Sequence, residues 1–231
     1  MKTWDELPES LRTGEVRPYY DALRKHRAGL AAKRIFDIAV SFVMLLLLSP
    51  LFLLLAIAIK LDSPGPVFYR QVRVTRYGKE FRIFKFRSMV SDADKKGSLV
   101  TVGGDSRITR VGKLIRKCRL DEISQLINVL DGTMTFVGTR PEVPRYVAAY
   151  TPEMMATLLL PAGITSEASI RYKDEDRLLE GAEDVDKVYI EEVLPGKMRY
   201  NLESVKQFSF FGDICTMFRT VFAVLGKDYD E

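Results

Sequence analysis

Apolar and polar residues follow different periods along the chain, and one uncharged run dominates the pattern. Residues 38–59 contain no charged side chain. As a helix with a rise of about 1.5 Å per residue, this run would be about 33 Å long, which is enough to cross a hydrocarbon core of about 30 Å. Hydropathy alone therefore predicts a helix that spans a membrane.

Two features favour a helix that enters and leaves the membrane on the same side. Ser49-Pro50 lies near the middle of the run, and Pro50 lacks an N–H and crowds the carbonyl of Leu46, so the helix should kink or break. Basic residues flank both ends, whereas a spanning helix concentrates Lys and Arg on its cytoplasmic side. The sequence predicts a re-entrant helix with arms Ile38–Ser49 and Leu51–Ile59, and a spanning helix is the alternative.

Shorter periodicities predict the elements that follow. Residues 72–89 alternate around Tyr77-Gly78, which is typical of a β-hairpin. Residues 105–117 are basic and helical, and residues 118–130 carry an apolar helical stripe. The stripe consists of Leu120, Ile123, Leu126, Ile127 and Leu130. The remaining predictions are a strand within 131–144, a loop at Pro161, Gly163 and Thr165, helix in 174–190, a break at 194–197 and helix in 198–222.

The sequence before the apolar run is polar and compatible with helix. Pro18 is followed by Tyr19, Tyr20 and Leu23 in an amphipathic arrangement. This segment could lie on a membrane, cover the rest of the protein or be solvated. The Lys and Arg of KRIFD (33–37) are long enough to reach a membrane interface and hold the helix end at headgroup level.

The amino-acid composition restricts the kinds of partner and reaction that the protein could have. The chain has 231 residues and a net charge of +4, which fits a single domain with an anionic partner. Nucleic acid is one such partner, but the apolar run favours a membrane surface or a phosphorylated substrate. Cys118 and Cys215 form no CxxC, so we expect two free thiols. His26 is the only histidine, which argues against a Ser-His-Asp triad or a multi-histidine zinc site.

The candidate chemistry centres on adjacent carboxylates, Asp121 and Glu122, which lie beside several cations. Adjacent acids are most often a solvated surface. Here the cations suit an anionic substrate, with one carboxylate to attack phosphorus and the other to hold Mg²⁺. The candidate substrate-binding residues are Lys85, Arg87, Arg107, Arg116, Arg119, Arg140 and Pro141. Lys85 and Arg87 would share one side of a strand, and Arg140 precedes a proline that stiffens its backbone.

Two triplets suggest a different enzyme. Asp92-Ala-Asp94 and Asp174-Glu175-Asp176 resemble the DxD metal motif of nucleotide-sugar glycosyltransferases, although such triplets are frequent in charged loops. The chain contains no Walker A motif and no GxGxxG, so a P-loop or Rossmann nucleotide site is not supported.

Taken together, the motifs resemble the bacterial sugar transferase family, the monotopic polyprenyl-phosphate phosphoglycosyl transferases. The matching segments, in order, are KRIFD, the apolar run with Ser-Pro, SPGPVFYRQ, YGKEFRIFKFRSM, DSRITRVGKLIRK, LDE and FVGTRPE. The resemblance runs from about residue 33 to past residue 165. It implies an α/β, mostly helical protein with a re-entrant membrane helix-break-helix and a small cytosolic catalytic domain that has a short β-hairpin and interfacial amphipathic helices. The corresponding regions are 1–32 (extension), 33–62 (membrane helix) and 63–231 (catalytic domain).

The resemblance also implies a reaction and a place for it. A sugar-1-phosphate would pass from a UDP-sugar to undecaprenyl phosphate with release of UMP, at the cytosolic face of the bacterial inner membrane. Asp121 would be the nucleophile and Glu122 would assist through Mg²⁺, with both as metal ligands. Phosphate and uridine contacts would fall on Lys85, Arg87, Arg116 and Arg140-Pro141, and membrane lipids but no nucleic acid would be partners. A homodimer stays open.

This sequence departs from the family pattern at three places. The family usually has a Pro two residues after the Glu of the Asp121-Glu122 dyad, and this chain has Ser124 there. Thr139 replaces the first Pro of the family's Pro-Arg-Pro. The family loop Pro-Gly-Ile-Thr-Gly appears here as PAGITSEASIRY (161–172), which affects the choice of sugar rather than the reaction. The alternatives are a DxD glycosyltransferase that releases UDP and a membrane-surface scaffold without catalysis.

Overall fold

The computed structural model describes residues 1–91, 106–173, 175–178 and 184–224. The helices are α1 (Arg17–Lys25), α2 (Arg27–Asp62), α3 (Arg110–Lys117), α4 (Leu126–Asp131), α5 (Pro144–Val147), α6 (Glu167–Arg171), α7 (Glu175–Leu178), α8 (Val185–Val188), α9 (Leu194–Lys206) and α10 (Phe210–Val224). The strands are β1 (Phe68–Val74), β2 (Glu80–Phe86), β3 (Met134–Val137) and β4 (Ala162–Thr165). Short 3-10 helices and one π-helix, Tyr189–Val193, connect them. The protein is therefore mostly helical with small sheets, as predicted.

The two sheets have two strands each. β1 and β2 are antiparallel around the turn at Arg76–Gly78, which confirms the predicted hairpin. β3 and β4 are parallel, so the predicted loop around Gly163 is wrong. The strand exists because the backbones of Gly138 and Gly163 approach closely, and any Cβ on Gly163 would overlap Gly138. Sequence periodicity does not register such a backbone contact.

The N-terminal segment covers the rest of the protein. In α1, the side chains of Tyr19, Tyr20 and Leu23 are buried in a cluster shared with α9 and the hairpin turn. The hydroxyl of Tyr19 donates to Glu153 at 2.6 Å, and the hydroxyl of Tyr20 donates to the carbonyl of Lys2. Of the three positions that the sequence left open for this segment, packing on the domain is the one observed.

The apolar run lies inside α2, a single helix of 36 residues that continues through Pro50. The predicted break in the helix is therefore not observed. The missing N–H of Pro50 would have donated to the carbonyl of Leu46, and the hydroxyl of Ser49 donates to that carbonyl instead, at 2.8 Å. Among the described residues, α2 is the one helix long and apolar enough to cross a membrane, and little of its apolar stretch is buried.

Both halves of α2 pack against the same globular body. Phe36, before the proline, packs edge-on against Phe136 of β3, and Phe52, after it, packs edge-on against Phe86 of β2. The last residue of the helix, Asp62, accepts the backbone N–H of Val111 at the start of α3. The middle of the helix is largely exposed, whereas its two ends are fixed to one domain.

Polar side chains near the start of α2 are buried rather than exposed. Lys33 is 6% exposed, and its Nζ donates to Asp213 of α10 at 2.5 Å and to the carbonyl of Val137 at 2.8 Å. Asp37 accepts the hydroxyl of Thr135 at 2.7 Å. The prediction that the lysine of KRIFD reaches the membrane interface is therefore wrong, because its ammonium is paired inside the protein.

Two further predictions have clear outcomes. α9 begins within the segment 194–197, so the predicted break there is wrong, because Pro195 occupies the first turn of the helix where no N–H is needed. Cys118 and Cys215 are free and exposed, as expected. The division into regions 1–32, 33–62 and 63–231 stays a prediction.

Candidate active site

The carboxylate pair lies on a tight turn rather than on one regular α-helix. Arg119 has φ 51°, in the left-handed region, and is followed by the 3-10 helix Leu120–Gln125. Because of this turn, the predicted single helical stripe over 118–130 is divided between the 3-10 helix and α4. Ser124 is buried, and its hydroxyl donates to the carbonyl of Phe84 at 3.1 Å, which attaches the turn to β2.

Two cations bind Glu122 from different directions. Lys85 Nζ, from β2, donates to Glu122 Oε1 at 3.1 Å. The guanidinium of Arg140, which follows β3, donates to the same oxygen through Nη2 and approaches Oε2 through Nη1 at 3.4 Å. The side chain of Glu122 is 17% exposed. The hairpin, the turn and the β3 loop therefore meet at one carboxylate.

The two carboxylates have opposite electrostatic environments. Burial disfavours ionisation of Glu122, but Arg140 and Lys85 outweigh burial and hold its pKa well below the usual range. Burial raises the pKa of Asp121, the charge of Glu122 raises it further, and Lys85 lowers it. Among the described residues, no ion pair holds the Asp121 carboxylate. Glu122 is thus held as an anion by two cations, while the ionised form of Asp121 is less stabilised by its surroundings.

The segment that carries Arg140 is held firmly. Pro141 is buried, and its carbonyl accepts a hydrogen bond from Arg73 Nη1 of β1 at 3.0 Å. The backbone N–H of Val74 donates to the carbonyl of Glu142 at 2.9 Å. The pairing with Glu122 raises the pKa of Arg140, so this guanidinium is permanently charged. Arg73 is a residue that sequence reasoning missed, because nothing in the hairpin pattern relates it to the later Arg-Pro segment.

A cavity of about 500 Å³ opens beside the carboxylates. Arg119, Glu122 and Arg140 line its polar end, together with Thr165, Ser169 and Lys173. Met44 of α2 lines its apolar side with Ile123, Leu126, Phe136 and Ile164. The cavity is therefore lined both by charged side chains, including Glu122, and by apolar side chains, including Met44 of the membrane-compatible helix.

The structure brings some of the predicted site residues together and not others. Asp121, Glu122, Lys85, Arg140 and Arg119 form one cluster, and Pro141 supports it. Arg116 of α3 lies close enough for its charge to lower the pKa of Asp121. The backbone carbonyl of Arg107 accepts the N–H of Val90 after β2, and the role of Arg107 in substrate binding stays a prediction.

Arg87 lies elsewhere. Its guanidinium is buried and donates to the carbonyls of Ile59, Ser63 and Pro64, at distances from 2.6 to 3.3 Å. These contacts close the C-terminal end of α2 against β2. The role of Arg87 in phosphate binding stays a prediction. The observed contacts show that Arg87, the residue after β2, is joined to the end of α2.

The residues fit a magnesium ion held jointly with a substrate. Among the described residues, no group of three or more His, Cys, Asp or Glu side chains could hold a metal alone. Mg²⁺ is commonly held by one or two carboxylates together with substrate phosphates. Glu122 Oε1 is engaged by both cations, whereas Oε2 has only the long contact with Arg140 and keeps acceptor capacity. Asp121 supplies the second carboxylate.

The two DxD triplets lie mainly outside the described part of the chain. Asp92, Asp94 and Asp174 fall outside the described residues, and the side chain of Asp176 does too. Glu175 is described, and its carboxylate pairs with Lys197 at 2.7 Å.

Comparison with known proteins places this architecture in a family. The profile of the bacterial sugar transferases matches residues 28–227, so the chain belongs to that family. Relatives in this family are named as transferases that use undecaprenyl phosphate.

Three relatives illustrate the match. A UDP-N-acetylgalactosamine-undecaprenyl-phosphate N-acetylgalactosaminephosphotransferase from Aeromonas hydrophila is 37% identical over 196 residues, 84% of this chain and 43% of that protein. UDP-glucose:undecaprenyl-phosphate glucose-1-phosphate transferases from Caulobacter vibrioides and Escherichia coli are 35% and 37% identical. Those alignments cover 85% and 82% of this chain, and 70% and 39% of the relatives. The chain thus spans less than half the length of the Aeromonas and Escherichia proteins.

Proposed function

We propose that this protein is a phosphoglycosyl transferase that moves a sugar-1-phosphate from a UDP-sugar to undecaprenyl phosphate and releases UMP. The observation that carries the proposal is the asymmetric carboxylate pair, of which Glu122 lines a cavity that Met44 also lines. Glu122 is neutralised by Lys85 and Arg140, whereas Asp121 beside it has a raised pKa and no ion pair among the described residues. The names of the relatives support the choice of donor and acceptor.

The first half-reaction uses Asp121 as the nucleophile. A carboxylate oxygen attacks the phosphorus that carries the sugar, the bond from that phosphorus to the bridging oxygen breaks, and the bridging oxygen leaves with UMP. An acyl phosphate links Asp121 to the sugar. Arg140 and Lys85 stabilise the charge on the diphosphate, and Arg119 lies at the cavity edge where a phosphate would enter. Bound Mg²⁺ would neutralise further phosphate charge through Asp121 and Glu122.

The second half-reaction uses the apolar part of the same cavity. An oxygen of the lipid phosphate attacks the same phosphorus, the acyl–phosphate bond breaks, and the Asp121 carboxylate is regenerated. The lining by Met44, Leu126, Phe136 and Ile164 suits an isoprenoid chain. Because UMP leaves before the lipid phosphate attacks, one cationic end can serve both substrates in turn.

A membrane arrangement is part of the proposal. Both ends of α2 pack on one domain, through Phe36 and Asp62 among others. Because both ends pack on one domain, we infer that a bend at Ser49-Pro50, rather than a break in the helix, lets α2 enter and leave the bilayer on the cytosolic face. This re-entrant arrangement would keep the catalytic carboxylates at the headgroup plane, where a soluble nucleotide sugar and a lipid phosphate meet.

The covalent step can be tested without lipid. Purified enzyme mixed with a UDP-sugar in the absence of undecaprenyl phosphate should release about one UMP per active site and retain the sugar phosphate. Mass analysis should locate the adduct on the tryptic peptide 120–145, which follows Arg119 and continues past Arg140 because trypsin does not cleave before Pro141. Asp121→Asn should show neither burst nor adduct.

The outcomes separate the alternatives. Release of UDP instead of UMP would support a glycosyltransferase that moves the sugar without its phosphate. UMP release that requires the lipid, with no adduct, would indicate direct transfer in a ternary complex. An adduct that persists in Asp121→Asn would remove Asp121 as the nucleophile even if the reaction class survived.

A further inference from the structure

A buried acidic residue directly follows the Arg-Pro segment of the active site. Glu142 is 6% exposed, and nothing in the two half-reactions uses its carboxylate. The hydroxyl of Tyr189 donates to Glu142 Oε1 at 2.5 Å. Arg73 lies 3.9 Å from Oε2, and Lys197 lies 3.9 Å from Oε1. Burying an ionised carboxylate costs free energy unless its hydrogen bonds and ion pairs are maintained. The positions of the groups around Glu142 are therefore tightly constrained.

The partners of Glu142 come from parts of the chain distant in sequence. Arg73 lies on β1 and also donates to the carbonyl of Pro141, so it holds two consecutive residues of the segment. Tyr189 opens the π-helix Tyr189–Val193, and Lys197 lies in α9. Lys197 Nζ donates to the hydroxyl of Tyr189 at 3.1 Å and to Glu175 at 2.7 Å. Glu142 therefore joins the C-terminal helices to the hairpin at the base of Arg140.

The π-helix is a second observation that points to this contact. A π-helix is a locally unfavourable winding that persists where a particular side chain must reach a particular place, and it is frequent at functional sites. Here the π-helix places the ring of Tyr189 in a buried cluster against Tyr146, at 4.8 Å between centroids, with its hydroxyl on Glu142. Burial and the neighbouring charge of Glu142 raise the pKa of Tyr189, so its hydroxyl remains a proton donor.

Positively and negatively charged side chains alternate between the Asp121-Glu122 dyad and α9. Glu122, Glu175 and Glu142 all raise the pKa of Arg140, and of these three carboxylates Glu122 is the one to which the guanidinium hydrogen-bonds. Hydrogen bonds to the carbonyls of residues 141 and 142 hold the Arg140 segment in place, and Glu142 is paired with Tyr189 and Lys197. Glu122 is therefore the carboxylate that remains to pair with the guanidinium of Arg140.

We propose that Glu142 is a positioning residue for the transfer reaction, which fixes Arg140 on the dyad through its contacts with Tyr189 and Lys197. This role rests on the proposed function, because Arg140 is taken to bind the donor diphosphate. The C-terminal helices would then contribute to donor binding without touching the donor.

Tyr189→Phe is the most conservative test, since it removes the hydroxyl and keeps the ring in the cluster. The KM for the UDP-sugar should rise about 10-fold, because a carboxylate without its donor relaxes the Arg140 segment, while kcat should change by less than about 3-fold. Tyr146→Phe is the matched control. The hydroxyl of Tyr146 donates to Asp186 at 2.5 Å instead of Glu142, so its removal should leave the KM within about 2-fold of wild type.

A double-mutant cycle distinguishes positioning from general stabilisation. Arg140→Lys has already lost the planar fork that Glu142 would orient, so adding Tyr189→Phe to it should raise the KM by less than about 2-fold. UMP release and thermal unfolding are measured for all four proteins. If Tyr189→Phe does not fold, Glu142→Gln takes its place in the cycle, because it keeps the acceptor oxygen and the shape.

Each outcome decides the proposal. A 10-fold KM effect that disappears in the Arg140→Lys background supports positioning. Equal effects in both backgrounds, or a loss of thermal stability with an unchanged KM, overturn it while the proposed function stands. A wild-type protein that releases no UMP from any UDP-sugar overturns the proposed function and the positioning role together.

Discussion

Lys85→Met would remove one of the two cations on Glu122 while keeping the length of the side chain. Lys85 Nζ lies 3.1 Å from Glu122 Oε1, and the two side chains are 24% and 17% exposed. At an effective dielectric constant of about 20, two unit charges at this distance attract by roughly 5 kcal/mol. Part of this attraction is offset by the desolvation of the ammonium, since burial lowers the pKa of Lys85. The rate effect comes from the proposed contact of Lys85 with the donor diphosphate, and we expect its loss to cost about 2 to 3 kcal/mol of transition-state stabilisation, or about 30- to 150-fold in kcat/KM.

The same substitution should change the pH dependence in a definite direction. Burial already raises the pKa of Asp121, and Lys85 lowers it. Without Lys85 the pKa of Asp121 rises further, so the carboxylate becomes protonated at a higher pH. Because the ionised carboxylate is the nucleophile, the acid limb of the kcat/KM profile should move to higher pH. Glu122→Gln should move the limb to lower pH, since the charge of Glu122 raises the pKa of Asp121.

The assay is UMP release from a UDP-sugar across a pH series, with thermal unfolding measured in parallel. Lys79→Met is the matched control, because Lys79 is an exposed lysine beside the same hairpin. Its profile should coincide with that of the wild type. An acid limb that stays in place in Lys85→Met, or that moves in the same direction in Glu122→Gln, would refute the electrostatic reasoning.

Two further predictions concern the fold. Gly163→Ala should lower the free energy of unfolding by about 1 to 3 kcal/mol, because its Cβ would overlap the backbone of Gly138, and calorimetry should show a lower Tm. Gly14→Ala, with open space around it, should leave the Tm unchanged. Cysteines introduced at the exposed positions Ala28 and Lys79, near residues 30 and 75 on the two sides of the apolar run, in a variant without the native thiols, should both resist an impermeant reagent added outside intact cells. Labelling at either position would contradict the re-entrant arrangement.

Parts of the fold and of the site could be predicted from local residue patterns and from the order of the motifs. The hairpin, the basic helix before the dyad and the helical character of the chain were confirmed. Lys85 and Arg140, which the sequence suggested separately as phosphate ligands, both contact Glu122. These features depend on residues whose side-chain chemistry or alternation is visible within a short window.

The features that were missed depend on contacts between distant segments. The burial of Lys33 follows from Asp213 and Val137, neither of which lies near it in sequence. Strand β4 forms because two glycine backbones meet, which produces no alternation of apolar side chains. The continuity of α2 is the exception, because it is accompanied by a local contact, in which the hydroxyl of Ser49 donates to the carbonyl of Leu46 three residues earlier. In the other two cases a tertiary contact outweighs the local propensity.

The pairing of Lys33 with Asp213 has a consequence for how the protein is made. The two residues are 180 positions apart, so at a synthesis rate of about 5 to 20 residues per second the lysine waits about 9 to 36 s for its carboxylate. The apolar helix leaves the ribosome long before α10 exists. In the proposed membrane arrangement, insertion of α2 during synthesis would therefore precede closure of the domain by α10.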